Sequence, residues 1–185
     1  MARVEEPEFS REEKEGDVEV RHYEPMVVAS TTIEGTYREA LNEGFRRLAG
    51  YIFGGNTPRE RIAMTAPVSA REEGERLEMT APVEAQKRGD RWTVSFVMPS
   101  GRDLEDLPRP LDERVQLHAL GERRVAVLRF RGWATERSVR KHTSELIDWL
   151  VEKGLAPSGE PTIAQYNPPW TPPFLRRNEI WIELT

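Results

Sequence analysis

The chain contains no cysteine, which excludes disulfides, thiolate metal sites, iron–sulfur clusters and cysteine nucleophiles. No window approaches the roughly 20 consecutive apolar residues of a spanning helix. The acidic start MARVEEPEFSREEKEGD also lacks the apolar stretch of a signal peptide. HExxH, G-x-S-x-G and Gly-rich phosphate loops are missing too, which removes the familiar zinc-hydrolase, serine-hydrolase and nucleotide-binding chemistries. Positive charge is not gathered into one stripe: 27 Lys and Arg against 32 Asp and Glu give a net charge of −5, and both signs mix in REEKEGD, REEGER and GERR. Nucleic acid is therefore not an expected partner. These absences predict a cytoplasmic monomer or weak dimer with no membrane partner and no catalytic residue that the sequence names.

What remains is a chain of 185 residues, 37% apolar and 32% charged, enough for one core shared by elements with one wet face each. Residues 1–16 read as a flexible acidic tail and 17–185 as a single domain. In VEVRHYEPMVVAST, residues 18–31, Val18, Val20 and His22 alternate onto one face, which predicts an inward His22, and Pro25 turns the chain into a second strand. Thr36 and Glu39 have capping-box spacing, and Tyr37, Leu41, Phe45, Leu48 and Ile52 then repeat at helical intervals up to Gly54 and Gly55.

After a strand at 92–98 and a Pro- and Gly-rich connection at 99–113, the pattern restarts. VQLHALGERRVAVLRF, residues 115–130, again gives two strands, and a helix is expected from Thr135 to Lys153 with Gly154 as its stop. The predicted fold class is α+β: two pseudo-repeated halves, about 17–100 and 114–185, each of antiparallel strands plus one helix. The sheets join around a pseudo-twofold axis with both helices on one side. A ligand groove is expected between the halves.

The pentapeptide MTAPV occurs twice, at 64–68 and 79–83. As a hairpin centred on Glu72–Glu75 it sets Met64 opposite Val83 and puts Met64, Met79 and the alanines on one apolar face. That face is either sheet core or an adaptable wall against a flat ligand. Further on, NPPWTPPF is held extended by four prolines and lays Trp170 and Phe174 along a groove, either as an aromatic platform or as a latch for the C-terminus.

RIAMTAPV (61–68), VSFVMPS (94–100) and QYNPPWTPPFLRRNEIWIEL (165–184) together closely resemble the SOUL family of heme-binding proteins, some of whose bacterial members also carry MTAPV twice. The resemblance covers about residues 17–185. It implies a fold similar to bacterial effector-binding domains and reversible, non-covalent binding of heme or a related tetrapyrrole for transport, buffering or sensing. It implies no settled catalytic reaction.

By the same resemblance, His22 matches a proposed axial iron ligand, and the first helix lines the pocket with Phe45, Leu48 and Ala49. Asn42 stands where animal members carry a basic residue near the propionates. That departure leaves the contact to Arg46, or to Arg176 and Arg177, since guanidinium binds carboxylates bidentately. Two alternatives stay open: a binding module for another flat apolar molecule, and a small-molecule hydrolase with one buried glutamate as base.

Overall fold

The computed structural model describes residues 5–57 and 76–185. Its strands are β1 (Phe9–Glu15), β2 (Val18–Tyr23), β3 (Met26–Glu34), β4 (Asn56–Thr57), β5 (Val83–Arg88), β6 (Arg91–Val97), β7 (Arg109–Pro110), β8 (Gln116–Leu120), β9 (Arg123–Phe130), β10 (Thr162–Gln165) and β11 (Asn178–Glu183). The helices are α1 (Tyr37–Ile52), between β3 and β4, and α2 (Glu136–Lys153), between β9 and β10. Nine strands form one antiparallel sheet in the order β1-β2-β9-β11-β10-β5-β6-β3-β8, while β4 and β7 pair separately. The sheet curls into a half-barrel.

Leaving β1 aside, this order is symmetric about the β10–β5 junction. β2 corresponds to β8, β9 to β3, β11 to β6 and β10 to β5. Each half gives its first strand away: β2 pairs with β9, and β8 pairs with β3. The turn at Pro25 therefore leads not to a local hairpin but to a strand on the far side of the sheet. This exchange ties the halves together through backbone ladders at both ends.

Both helices pack on one face. The main core there includes Val20, Ala29, Leu48, Val94, Leu146, Leu150 and Ile180. The expected capping box is present: the Thr36 hydroxyl accepts from the Glu39 amide, and the Glu39 carboxylate accepts from the Thr36 amide at 2.9 Å. Gly44 is buried where α1 meets β6, and a Cβ there would come within 2.6 Å of the Val94 side chain. Glycine thus allows the helix its close approach to the sheet. Thr135 caps α2, which ends at Gly154 with φ +67°, the left-handed stop its position predicts.

Two expectations change. The segment read as a solvated tail contains β1, which pairs along β2 and packs Phe9 on Tyr23, with ring centroids 5.3 Å apart. Alternating charged residues on an edge strand look like a tail because only Phe9 marks the buried side. The doubled MTAPV also departs from the hairpin. Its first copy, Met64 included, lies outside the described residues. In the second copy, Val83 pairs with Phe96 on one side and Gln165 on the other. Residues 77–82 are not strand: Met79 is exposed while its neighbours Thr80 and Ala81 are both buried, which breaks the period of two.

Candidate functional site

The N-terminal ends of α1 and α2 open onto a common groove of about 620 Å³. Its walls include Tyr37, Leu41 and Asn42 of α1, Trp133 from the approach to α2, Gln165 at the end of β10, and Arg176. Glycines place both helix starts: Gly35 and Gly132 have φ of +120° and +94°, values that disfavour a side chain, and each stands shortly before a threonine cap. Trp133 is fixed in the link between Gly132 and Thr135.

The Arg176 guanidinium sits 4.0 Å from the centroid of the Trp133 ring. It is itself held from below, donating from Nε to the Thr171 carbonyl at 2.9 Å and from Nη2 to the Pro169 carbonyl. Tyr37 packs on Trp92 at 5.0 Å, and its hydroxyl accepts from Gln165 Nε2. Burial pushes the Tyr37 phenol up to about 12 against the opposing Gln165 bond, so it stays neutral. Arg38 also lines the groove, and the partial positive charge of the two helix N-termini is offset by Glu39 in the first turn of α1 and by Glu136, which lines the groove as well. Volumes of roughly 300–1,000 Å³ are usual for small-molecule sites. The arrangement suits a flat apolar ring bearing carboxylates.

The opposite face of the same sheet is closed by charge. Arg21 donates to both oxygens of Glu179, at 3.0 and 3.1 Å, and Arg177 donates to Glu179 Oε1 at 3.0 and 2.9 Å. The Tyr166 hydroxyl and the Trp181 indole N–H each donate to Glu179 Oε2 at 2.8 Å. Glu179 is completely buried. Burial alone would raise its carboxyl, but Arg21, Arg177 and Trp181 outweigh that and hold it below the ordinary value.

Glu84 on β5 has the opposite character. It pairs with Ala164 of the second apolar cluster, its Oε1 has no hydrogen-bond partner among the described residues, and burial pushes its carboxyl up against the pull of Arg123.

The residues expected at a site are dispersed. His22 has the predicted parity with Val18 and Val20, yet it is exposed, with Nε2 2.7 Å from Glu12 Oε2. A register shift between Arg11 and Glu13 in β1 makes Glu12 a bulge, and its carboxylate meets the ring. That carboxylate also accepts from Arg124, the residue opposite His22 on β9, at 2.8 and 2.6 Å. His118 is exposed on β8, and His142 stacks on Phe130 at 4.3 Å. None of the three histidines lines the groove.

Leu48 is core rather than wall, Ala49 is half-buried, and Phe45 is partly exposed with its edge against Phe96. Asn42 does line the groove. Arg46 is exposed, pairs with Glu43 and lines a separate groove of about 420 Å³. Arg177 is committed to the opposite face, where it also bonds Glu6 and stacks 3.8 Å over Tyr166. Trp170 and Phe174 project into solvent. Sequence reasoning missed Trp133, Tyr37 and Leu41 as groove residues. The one available signal was a tryptophan between a turn glycine and a helix cap.

The fold defines the class first. It is similar to the crystal structure of the EcmrR C-terminal domain, with a TM-score of 0.63 over 91% of this chain and 96% of that one; at 9% identity the likeness concerns architecture alone. The sequence then gives the family. The model of the SOUL heme-binding proteins matches residues 4–183, and the chain belongs to that family. It is 30% identical over 169 residues to heme-binding protein 2 of Homo sapiens, covering 90% of this chain and 78% of that protein. To heme-binding protein 1 of Xenopus laevis it is 29% identical over 174 residues, covering 93% and 86%.

Proposed function

We propose that this protein binds heme or a related tetrapyrrole reversibly and non-covalently in the groove between the two helix N-termini, as a carrier, buffer or sensor. The observation that carries the reading is the pairing of Trp133 with Arg176 at the mouth of a groove of about 620 Å³. An indole already positioned by a buried cation presents a flat surface at low entropic cost. Tyr37 and Leu41 supply further apolar wall, and Arg38 faces the ring's carboxylates. Family membership supports the ligand class.

The groove has no histidine, so the ring is held by its faces and its carboxylates rather than by an imidazole. His22, the ligand suggested by resemblance, belongs to the Glu12–Arg124 cluster. The hydrolase alternative needs a buried glutamate in the groove, whereas Glu84 lies on the other face of the sheet.

Titration of the protein with ferric hemin, followed by the Soret band and tryptophan quenching, tests this. Saturable one-to-one binding is expected, unchanged in His22→Ala and weakened about tenfold in Trp133→Ala, the loss of one good aromatic contact. Absence of saturation below hemin's aggregation range would refute it.

A further inference from the structure

Beside the groove lies a surface that ligand binding does not account for. Three large apolar side chains are exposed in the C-terminal loop, Trp170 at 83%, Phe174 at 68% and Leu175 at 60%, next to a fourth, the groove's own Trp133 at 56%. Single exposed apolar residues are ordinary, but a group of four on neighbouring segments is not.

The loop is not slack. The Thr171 amide donates to Pro168 O, the Leu175 amide to Pro172 O and the Gly132 amide to Pro173 O, at 3.1, 3.0 and 3.0 Å. The Asn178 side chain donates to Gly132 O at 2.9 Å, and the buried Arg176 holds two of the loop's carbonyls. Prolines at 168, 169, 172 and 173 restrict the backbone further. The chain thus uses a dense set of bonds to hold Trp170, Phe174 and Leu175 in water, where the hydrophobic effect disfavours them.

Charge identifies what covers them. The protein carries a net charge of −5, yet residues 165–177 contain no acid, and residues 131–141 contain four basic residues against Glu136 alone. Arg131, Arg137 and Arg140 are exposed. Among the described residues no carboxylate lies within ion-pair distance of Arg131 or Arg137, which flank Trp133.

We propose that this face docks on an anionic phospholipid bilayer: Trp170, Phe174 and Leu175 enter the headgroup region and the surrounding arginines meet lipid phosphates. Aromatic rings with a polar edge favour that interface, and apolar insertion combined with basic residues is how a protein adsorbs without spanning. The absence of a helix long and apolar enough to cross a membrane among the described residues bears on spanning, not on adsorption, so the expectation of no membrane partner is revised here.

Docking stands apart from ligand binding and is measured without ligand. Pro169, Trp133 and Arg176 border both the groove and this face. That docking turns the groove toward the bilayer, where an apolar ring partitions, rests on the tetrapyrrole reading.

The test is flotation of the ligand-free protein with vesicles of phosphatidylcholine alone or mixed equally with phosphatidylglycerol. Wild type is expected to float with the mixed vesicles and to be released by roughly 0.5 M salt. Trp170→Ser/Phe174→Ser is expected to bind them about tenfold more weakly, with unchanged circular dichroism and hemin binding. Bromine-labelled acyl chains should quench wild-type fluorescence more than that of Trp170→Phe. Wild type failing to float with anionic vesicles, or the double variant floating equally well, would overturn the proposal; the first result would assign the face to a protein partner.

Discussion

The two faces of the nine-stranded sheet treat charge in opposite ways. On the helix side, the groove keeps Arg38 at its rim and leaves the Trp133 indole more than half exposed. On the other side, Arg21 and Arg177 converge on one completely buried carboxylate, and Tyr166 and Trp181 take up its remaining lone pairs. A charge that is fully paired and hydrogen-bonded is structural. A cation and a ring left facing solvent beside a groove are available to a ligand. The same residue types, Arg with Trp or Tyr, thus serve stability on one face and recognition on the other.

Breaking the closed face should cost most. Glu179→Leu takes away the buried carboxylate that Arg21 and Arg177 share, leaving Arg21 with Glu19 and Arg177 with Glu6, and is expected to lower stability by about 3 kcal/mol in denaturant titration, the lower end for broken buried pairs. Less is expected where α1 seats on the sheet. Gly44→Val forces atoms into Val94 and should cost about 1–3 kcal/mol, with part recovered in the double variant that adds Val94→Ala.

The smallest effect is a pH dependence that separates Glu179 from Glu84. Glu179 has a lowered native pKa, so the stability it contributes is present above its unfolded value and is lost as pH falls through the native one. Glu84 has a raised native pKa, so above about 4.3 the unfolded chain releases a proton that the native state retains, and stability declines as pH rises. Glu84→Gln is therefore expected to flatten that decline and to leave the protein slightly more stable at neutral pH. Thermal melts from pH 4 to 8 would show it, and an unchanged slope would mean that Glu84 is ionised in the fold.

Much of this architecture was legible. The capping box at Thr36 and Glu39, the Gly154 stop and the strand through Val125–Phe130 all follow from local spacing, and local spacing is what a sequence displays. The exchange of β2 and β8 between halves was not, because strand partners distant in sequence leave no local mark.

The site was harder for two reasons. Alternation gave His22 its correct parity, but only the neighbouring bulge at Glu12 decides which groups that position meets. Arg21 and Glu179 gave no signal, since a buried ion pair and a solvated charge read alike until the partner 158 residues away is placed. Trp133 and Arg176 form a pair only because the approach to α2 and the loop between β10 and β11 meet in space.

The most direct test of the assignment fills one face and edits the other. Asn42→Trp places bulk into the groove wall, while Glu84→Gln changes only the opposite face. In parallel hemin titrations, Asn42→Trp should lose binding by at least about tenfold with stability retained, and Glu84→Gln should bind as wild type does. Undiminished binding in Asn42→Trp together with loss in Glu84→Gln would contradict the account and move the ligand to the other side of the sheet.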